Sequence, residues 1–376
     1  MYTDIPYIVF YLSLIVCAIL YWKNESSLAV KASFVITFIF FAFRAPVVGA
    51  DTWNYVRYLA GMRDYYSEWD DRALEFLFVG YRTIIKSLSP SYMVVMVINT
   101  ILSLLPLYVI IKKYSSNAPL SILMFVNLNC LILYFVGLRQ ILALVPLLLV
   151  LVYCIENEIP KIKQAFLFFL ASAVAVGFHS TGLIYGLIYF LALVIPITKR
   201  NVYIALIIAS AVVGFLMEKF NVLDILSSLS SLNLSILQRV DAYLIGDDQN
   251  DLSAITIALR PSVIGLMVFS LIKEEQLNHP FSKIFLAGII LYNFLATIPM
   301  VHRMVLPMIM FGSVVFSWCY SKELELNAKL TKILYILTIL IFAYFGRSWY
   351  IRCTYWSFMD ESCMHPYYFV FEDYGQ

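Results

Sequence analysis

Long apolar runs, separated by short polar connections, account for most of the chain. The runs do not alternate with polar residues, and in a bilayer segments of this kind must be helices, because helices satisfy their own backbone hydrogen bonds. The pattern therefore predicts an all-α, polytopic integral membrane protein with about twelve transmembrane helices. The predicted spans are 6–22, 28–43, 92–111, 120–136, 140–154, 164–177, 182–197, 202–217, 252–272, 281–298, 304–320 and 333–345.

Composition supports the membrane assignment. Of the 376 residues, 62% are hydrophobic and 13% are charged, which excludes an ordinary soluble domain. We expect a single polytopic membrane domain over 1–376. The first apolar run lacks a basic segment before it and a small-residue cleavage site after it, so we expect a retained helix and not a signal peptide.

The positive charges predict the orientation of the helices. Lysines occupy alternate connections, which by the positive-inside rule are cytoplasmic. Both termini and the segments 44–91, 218–251 and 347–376 are then expected outside. The connections predicted to be cytoplasmic hold Lys23, Lys31, Lys112, Lys113, Lys161, Lys163, Lys199, Lys273, Lys283, Lys322, Lys329 and Lys332.

Arginine, in contrast, is concentrated on the predicted outer side. Its planar guanidinium binds carboxylate or phosphate through two parallel hydrogen bonds and keeps its charge when desolvated, so an anionic ligand is one interpretation. Pairing with the many outer carboxylates is the alternative. Four arginines border apolar runs, where an ionisable group is costly and indicates function: Arg44, Arg139, Arg260 and Arg303.

Four short segments carry a resemblance to a known family. They are RAPVVGADTWNY (44–55), GLRQILALVPLLLV (137–150), FHSTGLIYGLIY (178–189) and HRMVLPMIMF (302–311). In order and spacing they are similar to the EpsG-like and Wzy-type polymerases of bacterial surface polysaccharides, including O-antigen polymerases.

The resemblance implies a GT-C-like glycosyltransferase of the bacterial inner membrane. Such an enzyme transfers a growing glycan from undecaprenyl diphosphate onto a lipid-linked repeat unit at the periplasmic face. The implied partners are the undecaprenyl-diphosphate-linked repeat units, the lipid bilayer, a chain-length regulator and a flippase. No nucleic-acid partner is expected.

The residues agree with this chemistry. A lipid diphosphate leaving group needs fixed positive charge, which the four arginines could supply. The acceptor hydroxyl needs a general base, for which Asp51, Glu75 and His179 are candidates. Each has a structural alternative: Asp51 could cap a helix, Glu75 could lie on the solvated face of an interfacial helix, and His179 could be a structural loop residue.

Candidate sugar-binding residues are Tyr55, Gln140, Arg239 and Tyr243. No HExxH, CxxC or DxD motif occurs in a predicted outer loop, so we expect metal-independent chemistry without a cofactor. The sequence also lacks a glycine-rich phosphate loop, which argues against ATP or a nucleotide sugar as the direct donor.

Two other functions remain open at this point. An O-antigen ligase would use similar residues, and a flippase for lipid-linked oligosaccharide would be a non-enzymatic alternative. A transport site is expected near the bilayer centre, whereas the ionisable groups here lie at the ends of the spans. Among the cysteines, Cys353 and Cys363 share the outer tail, where an oxidising compartment would permit a disulfide.

Overall fold

A computed structural model describes residues 5–46, 48–49, 52–60, 75–89, 91–128, 130–157, 159–219, 254–295, 301–320 and 369. Within these ranges all regular secondary structure is helical, as the sequence predicts. The helices are α1 (Ile5–Asn24), α2 (Ser27–Ala42), α3 (Thr52–Ala60), α4 (Phe76–Leu88), α5 (Tyr92–Tyr114), α6 (Ala118–Asn127), α7 (Leu131–Phe135), α8 (Leu138–Asn157), α9 (Lys161–Phe178), α10 (Gly182–Val194), α11 (Arg200–Lys219), α12 (Ala254–Leu271), α13 (Glu274–Leu277), α14 (Pro280–Phe294), α15 (Val301–Ile309) and α16 (Gly312–Trp318).

The helix lengths are those of a membrane-embedded protein. Five helices, α1, α5, α8, α9 and α11, are long and apolar enough to cross a bilayer, and shorter apolar helices lie at the other predicted spans from 28–43 to 304–320. The predicted span 333–345 lies outside the described residues. The count of twelve spans and the GT-C-like architecture therefore stay predictions.

One predicted span, 120–136, is broken into α6 and α7. The break follows Asn127, whose Nδ2 donates to Leu123 O at 2.8 Å while its Oδ1 accepts a hydrogen bond from Tyr11 Oη at 2.9 Å. Both polar atoms of the carboxamide are therefore satisfied where the helix ends. The predicted span is therefore interrupted, and apolar length alone does not show this because Tyr11, a partner of Asn127, lies on α1.

The core is built around α8, which packs against α5, α7, α9 and α10. A smaller cluster lies where α3 and α4 cover the first turns of α5 and α8, and it includes Tyr58, Phe78, Met96, Leu138 and Leu142. Packing in this cluster holds α3 and α4 against α5 and α8, at the end of the bundle where the candidate site residues lie.

A buried polar chain joins three further helices. Asn293 on α14 is completely buried; its Nδ2 donates to Ser210 Oγ on α11 at 2.8 Å, and its Oδ1 accepts from Ser262 Oγ on α12 at 3.0 Å. The Ser210 hydroxyl in turn donates to Ile207 O within its own helix. Because both ends of the carboxamide are used, the three helices are held in one register.

The cysteines inside predicted spans behave as small apolar residues. All four are buried with free thiols: Cys17, Cys130, Cys154 and Cys319. Cys353 and Cys363 lie outside the described residues, so their disulfide stays a prediction.

An aromatic cluster closes the lysine-bearing end of the bundle. The ring of His279, just before α14, lies 4.6 Å from the ring of Phe281, 5.2 Å from that of Trp318 and 5.7 Å from that of Tyr114. Its Nδ1 accepts a hydrogen bond from Phe281 N at 3.2 Å and so caps the helix. Burial, and next the charge of Lys283, lowers the pKa of His279 to about 4.

The two ends of the bundle give a topology prediction. Lys113 and Lys161 lie at one end, where Lys113 pairs with Glu156, and Ser180 lies at the other. In a background without the six native cysteines, an impermeant thiol reagent added to intact cells should label Ser180→Cys but neither Lys113→Cys nor Lys161→Cys. Labelling of both lysine-site variants from outside would reverse the predicted orientation.

A second prediction concerns acid stability. Folding lowers the pKa of His279 from 6.5 to about 4, so the neutral ring is favoured in the folded state. The neutral His279 ring therefore contributes fully to the stability of the folded protein above pH 6.5, and this contribution is lost as the pH falls from 6.5 towards 4. His279→Asn retains a good helix cap and should show a shallower decline of melting temperature over this range than the wild-type protein. Equal slopes for the two proteins would contradict this assignment.

Candidate functional site

An arginine–glutamate ion pair lies at the end of the bundle opposite Lys113, which we call the site end. Arg139 is in the first turn of α8, and its Nη1 is 2.8 Å from Oε2 of Glu75, the residue that precedes α4. The side chains are only 20% and 19% exposed. Since two partly desolvated charges stabilise each other, removing one would leave the other without its counter-charge.

Two aromatic rings flank the guanidinium. Its Cζ lies 5.6 Å from the ring centre of Tyr55 and 5.8 Å from that of Phe78, and its Nε donates to Tyr55 Oη at 3.3 Å. Tyr55 is on α3 and is 7% exposed. The rings hold the planar guanidinium in place, which a flexible lysine ammonium would not reproduce.

The connection between α9 and α10 contacts the same glutamate. Ser180 N donates to Glu75 Oε1 at 3.4 Å, so both carboxylate oxygens accept hydrogen bonds. The neighbouring His179 ends α9, and its Nδ1 accepts from Thr181 N at 3.3 Å and lies 2.8 Å from Thr181 Oγ1. An Nδ1 that accepts a hydrogen bond leaves the proton of the neutral ring on Nε2.

Arg44 has different surroundings. It is 2% exposed, and its guanidinium donates to three main-chain carbonyls: from Nη1 to Phe41 O at 2.6 Å, from Nη2 to Tyr134 O at 2.7 Å, and from Nε to Val48 O at 3.3 Å. The Cζ atom also lies 4.4 Å from the centre of the Phe135 ring. These contacts join the end of α2 to the end of α7. The predicted diphosphate contact of Arg44 stays a prediction.

A tight turn after Arg44 orients α3. Gly49 has φ 110°, and a Cβ at this position would lie 2.2 Å from Phe135 O. Thr52, the first residue of α3, donates its hydroxyl to the same carbonyl oxygen. Because the turn rests directly on α7, Tyr55 is directed towards Arg139 one turn later.

The structure describes the other predicted site residues only in part. Gln140 follows Arg139 and is 8% exposed, and within the described residues its Oε1 has no hydrogen-bond partner. The backbones of Arg260 and Arg303 are in α12 and α15, but their side chains lie outside the described part. Asp51, Arg239 and Tyr243 also lie outside it.

The structure adds two contacts that were not predicted. Arg82 on α4 donates from Nε to Tyr58 O at 3.1 Å and stacks on the Tyr58 ring at 4.3 Å. Tyr81 Oη donates to Asn99 Oδ1 at 2.6 Å and so links α4 to α5. No local sequence pattern identifies these contacts, because their partners are on other segments.

Among the described residues, no three His, Cys, Asp or Glu side chains lie close enough together to hold a metal ion. The polar groups that contact one another at the site end are the Glu75 carboxylate, the Arg139 guanidinium, the Tyr55 phenol and the Ser180 main-chain amide. Metal-independent chemistry stays a prediction.

Comparisons with known proteins identify the family of the chain. No curated protein and no solved structure matches the chain. The model of the EpsG family matches residues 27–369, a range that includes α2 to α16, the ion pair and the turn before α3. The resemblance seen in the sequence is thereby confirmed, and the chain belongs to the EpsG family.

Proposed function

We propose that the protein is an inner-membrane polysaccharide polymerase. It transfers a growing glycan from undecaprenyl diphosphate onto a lipid-linked repeat unit at the periplasmic face, which is the face of the site end. The observation that carries this proposal is Arg139, a guanidinium held between two aromatic rings and a carboxylate at the end of an apolar bundle. Membership of the EpsG family supports a polymerase of this kind.

The chemistry of the leaving group explains why the site would need an arginine. As the bond from the sugar to the diphosphate breaks, negative charge develops on the diphosphate, and a prepositioned cation stabilises that charge. Arg139 meets this need because Glu75 and Tyr55 fix its orientation before substrate binds. Arg260 and Arg303 are proposed to bind the same diphosphate.

Glu75 is better suited to position Arg139 than to remove a proton. Its two oxygens accept from Arg139 and from Ser180 N, so both are already used to hold Arg139 and the connection after α9. The Nδ1 of His179 is likewise already used, because it accepts a hydrogen bond from Thr181 N.

Asp51 is therefore the general base that we propose. It directly precedes Thr52 and α3, the helix that carries Tyr55 to the arginine. The base would take the proton of the acceptor hydroxyl as the new glycosidic bond forms. The sugar would be bound by Tyr55, Gln140, Arg239 and Tyr243, and neither a metal nor a cofactor takes part.

Transfer at the bilayer surface fits the charge distribution better than transport. The ion pair belongs to helix starts and connections and not to the middle of a span. A deletion strain separates polymerase from ligase: surface glycan limited to single repeats indicates a polymerase, whereas full-length polymer retained on the carrier lipid indicates a ligase.

Replacing the guanidinium by an ammonium should test its role. Arg139→Lys keeps the charge but loses the planar fork, and we expect transfer to fall about 100-fold, the size of effect seen when one oxyanion donor is removed. The measurement is the rate of polymer formation by purified protein from a lipid-linked repeat unit.

Arg82→Lys is the control, since Arg82 also stacks on a tyrosine ring and donates to Tyr58 O, but it is not among the arginines proposed to bind the diphosphate. It should keep most of the activity. Wild-type polymer from both Arg139→Lys and Arg303→Lys at normal expression would refute the proposed diphosphate contact.

Asp51→Asn separates catalysis from capping. Asn is as good a helix cap as Asp, so the protein should remain folded and abundant. Loss of the base should reduce the product to single repeats on a glycan ladder, whereas Asp64→Asn, in the same predicted outer segment, should give normal chain length. Normal chain length from Asp51→Asn would show that Asp51 is only a cap and would favour His179 as the base.

A further inference from the structure

A small internal cavity lies close to the site end. It has a volume of about 10 Å³ and is lined by residues of α5, α7 and α8 together with Arg44. Leu138, one of the lining residues, directly precedes Arg139 on α8. Because a space of about 10–15 Å³ is the least that holds one water, the cavity can take a single water molecule but not a sugar or a phosphate group.

Asn99 on α5 lines this cavity and is 3% exposed. Its Oδ1 accepts a hydrogen bond from Tyr81 Oη of α4 at 2.6 Å. Among the described residues, its Nδ2 has no hydrogen-bond partner. Buried amide groups in folded proteins are almost always paired with protein or with ordered water, since an unpaired one is costly. A ligand in the cavity is therefore expected to accept a hydrogen bond from Nδ2.

Two hydroxyl groups of the lining residues can accept hydrogen bonds. Ser103 Oγ donates within α5, to Asn99 O at 2.7 Å and to Thr100 O at 3.3 Å. Tyr134 Oη of α7 donates to Ser103 O at 3.1 Å. A hydroxyl has one proton and two lone pairs, and both of these protons are already donated to main-chain carbonyls. Towards a ligand, the two hydroxyl oxygens are therefore acceptors.

We propose that the cavity binds one ordered water molecule, which accepts from Asn99 Nδ2 and donates to Ser103 Oγ and Tyr134 Oη. This site goes beyond the proposed function and does not depend on it. About three partners is the usual number for a buried water. The lining residues offer one donor and two acceptors, and a water satisfies all three.

The same lining does not suit an ion. An anion would face the lone pairs of two hydroxyl oxygens whose protons are donated elsewhere. A cation would lie beside the amide group of Asn99 and the guanidinium of Arg44, which also lines the cavity. A buried charge needs partners of opposite sign, whereas an uncharged ligand that both donates and accepts is repelled by neither set of groups.

The water completes a polar connection from α4 to Arg44. Tyr81 of α4 donates to Asn99, which the water joins to Tyr134. The main-chain oxygen of Tyr134 accepts from Arg44 Nη2 at 2.7 Å. Helix α4 begins directly after Glu75. The water therefore ties the helix next to the site ion pair to the same framework that supports the turn before α3.

Cryo-electron microscopy of the full-length protein in lipid nanodiscs tests the site directly, at a resolution that shows ordered water. In the wild-type protein we expect a density peak about 2.7–3.2 Å from Asn99 Nδ2, Ser103 Oγ and Tyr134 Oη. The double variant Ser103→Ala/Tyr134→Phe removes both acceptors. The water then keeps only Asn99 as a partner, and the peak should be lost.

Ser33→Ala/Tyr185→Phe is the matched control. It makes the same two changes at buried residues, 0% and 1% exposed, that are not among the lining residues of the cavity. Ser33 Oγ donates to Val30 O within its own helix, as Ser103 Oγ does within α5. This variant should keep the peak.

The wild-type map alone decides the question if the double variant does not fold. A wild-type cavity without a peak would overturn the water site, and so would a peak that persists in Ser103→Ala/Tyr134→Phe. Loss of the peak in the control as well would show that the two hydroxyls do not hold it, with the same consequence. A peak that strengthens when bromide replaces chloride would identify an anion instead. None of these measurements uses glycan transfer, so the proposed polymerase is tested separately.

Discussion

Wherever a helix ends inside an apolar bundle, its last carbonyl groups lose their partners, and no water is present to replace them. Arg44 satisfies two such groups at once, at Phe41 and Tyr134, and it also donates to the Val48 carbonyl in the turn that follows. The buried guanidinium thus makes it possible for α2 and α7 to end next to each other. Without these ends, the turn at Gly49 would have no carbonyl surface to rest on, and α3 would not reach α8.

The site end follows from that arrangement. Four separate segments meet there: α3 contributes Tyr55, the start of α4 contributes Glu75, α8 contributes Arg139, and the connection after α9 contributes Ser180. These contacts fix the orientation of the guanidinium, so its side chain keeps little conformational freedom. The partial burial that makes the pair costly to form also strengthens its field at the membrane surface.

The sequence predicted the helical class and the positions of most of the apolar helices, and it singled out Arg139 as a candidate, because apolar length and an ionisable residue beside it are local signals. It did not predict the partner of that arginine. Glu75 was a candidate general base, with the solvated face of an interfacial helix as the alternative, and nothing in the local pattern shows that α8 passes nearby. Arg44 and Arg139 looked equivalent in sequence, yet one binds backbone carbonyls and the other a carboxylate, a difference that depends on tertiary packing.

The polar chain through Asn293 bears on the order in which the bundle is assembled. Ser210 can satisfy its hydroxyl within its own helix, so α11 can enter lipid alone. The Asn293 carboxamide instead depends on Ser210 and Ser262, and leaving it unpaired in hydrocarbon would cost several kcal/mol. Both partners precede it along the chain. During synthesis, α11 and α12 are therefore already available when α14 leaves the translocation machinery, and the costly amide is never the first of the three to enter the bilayer.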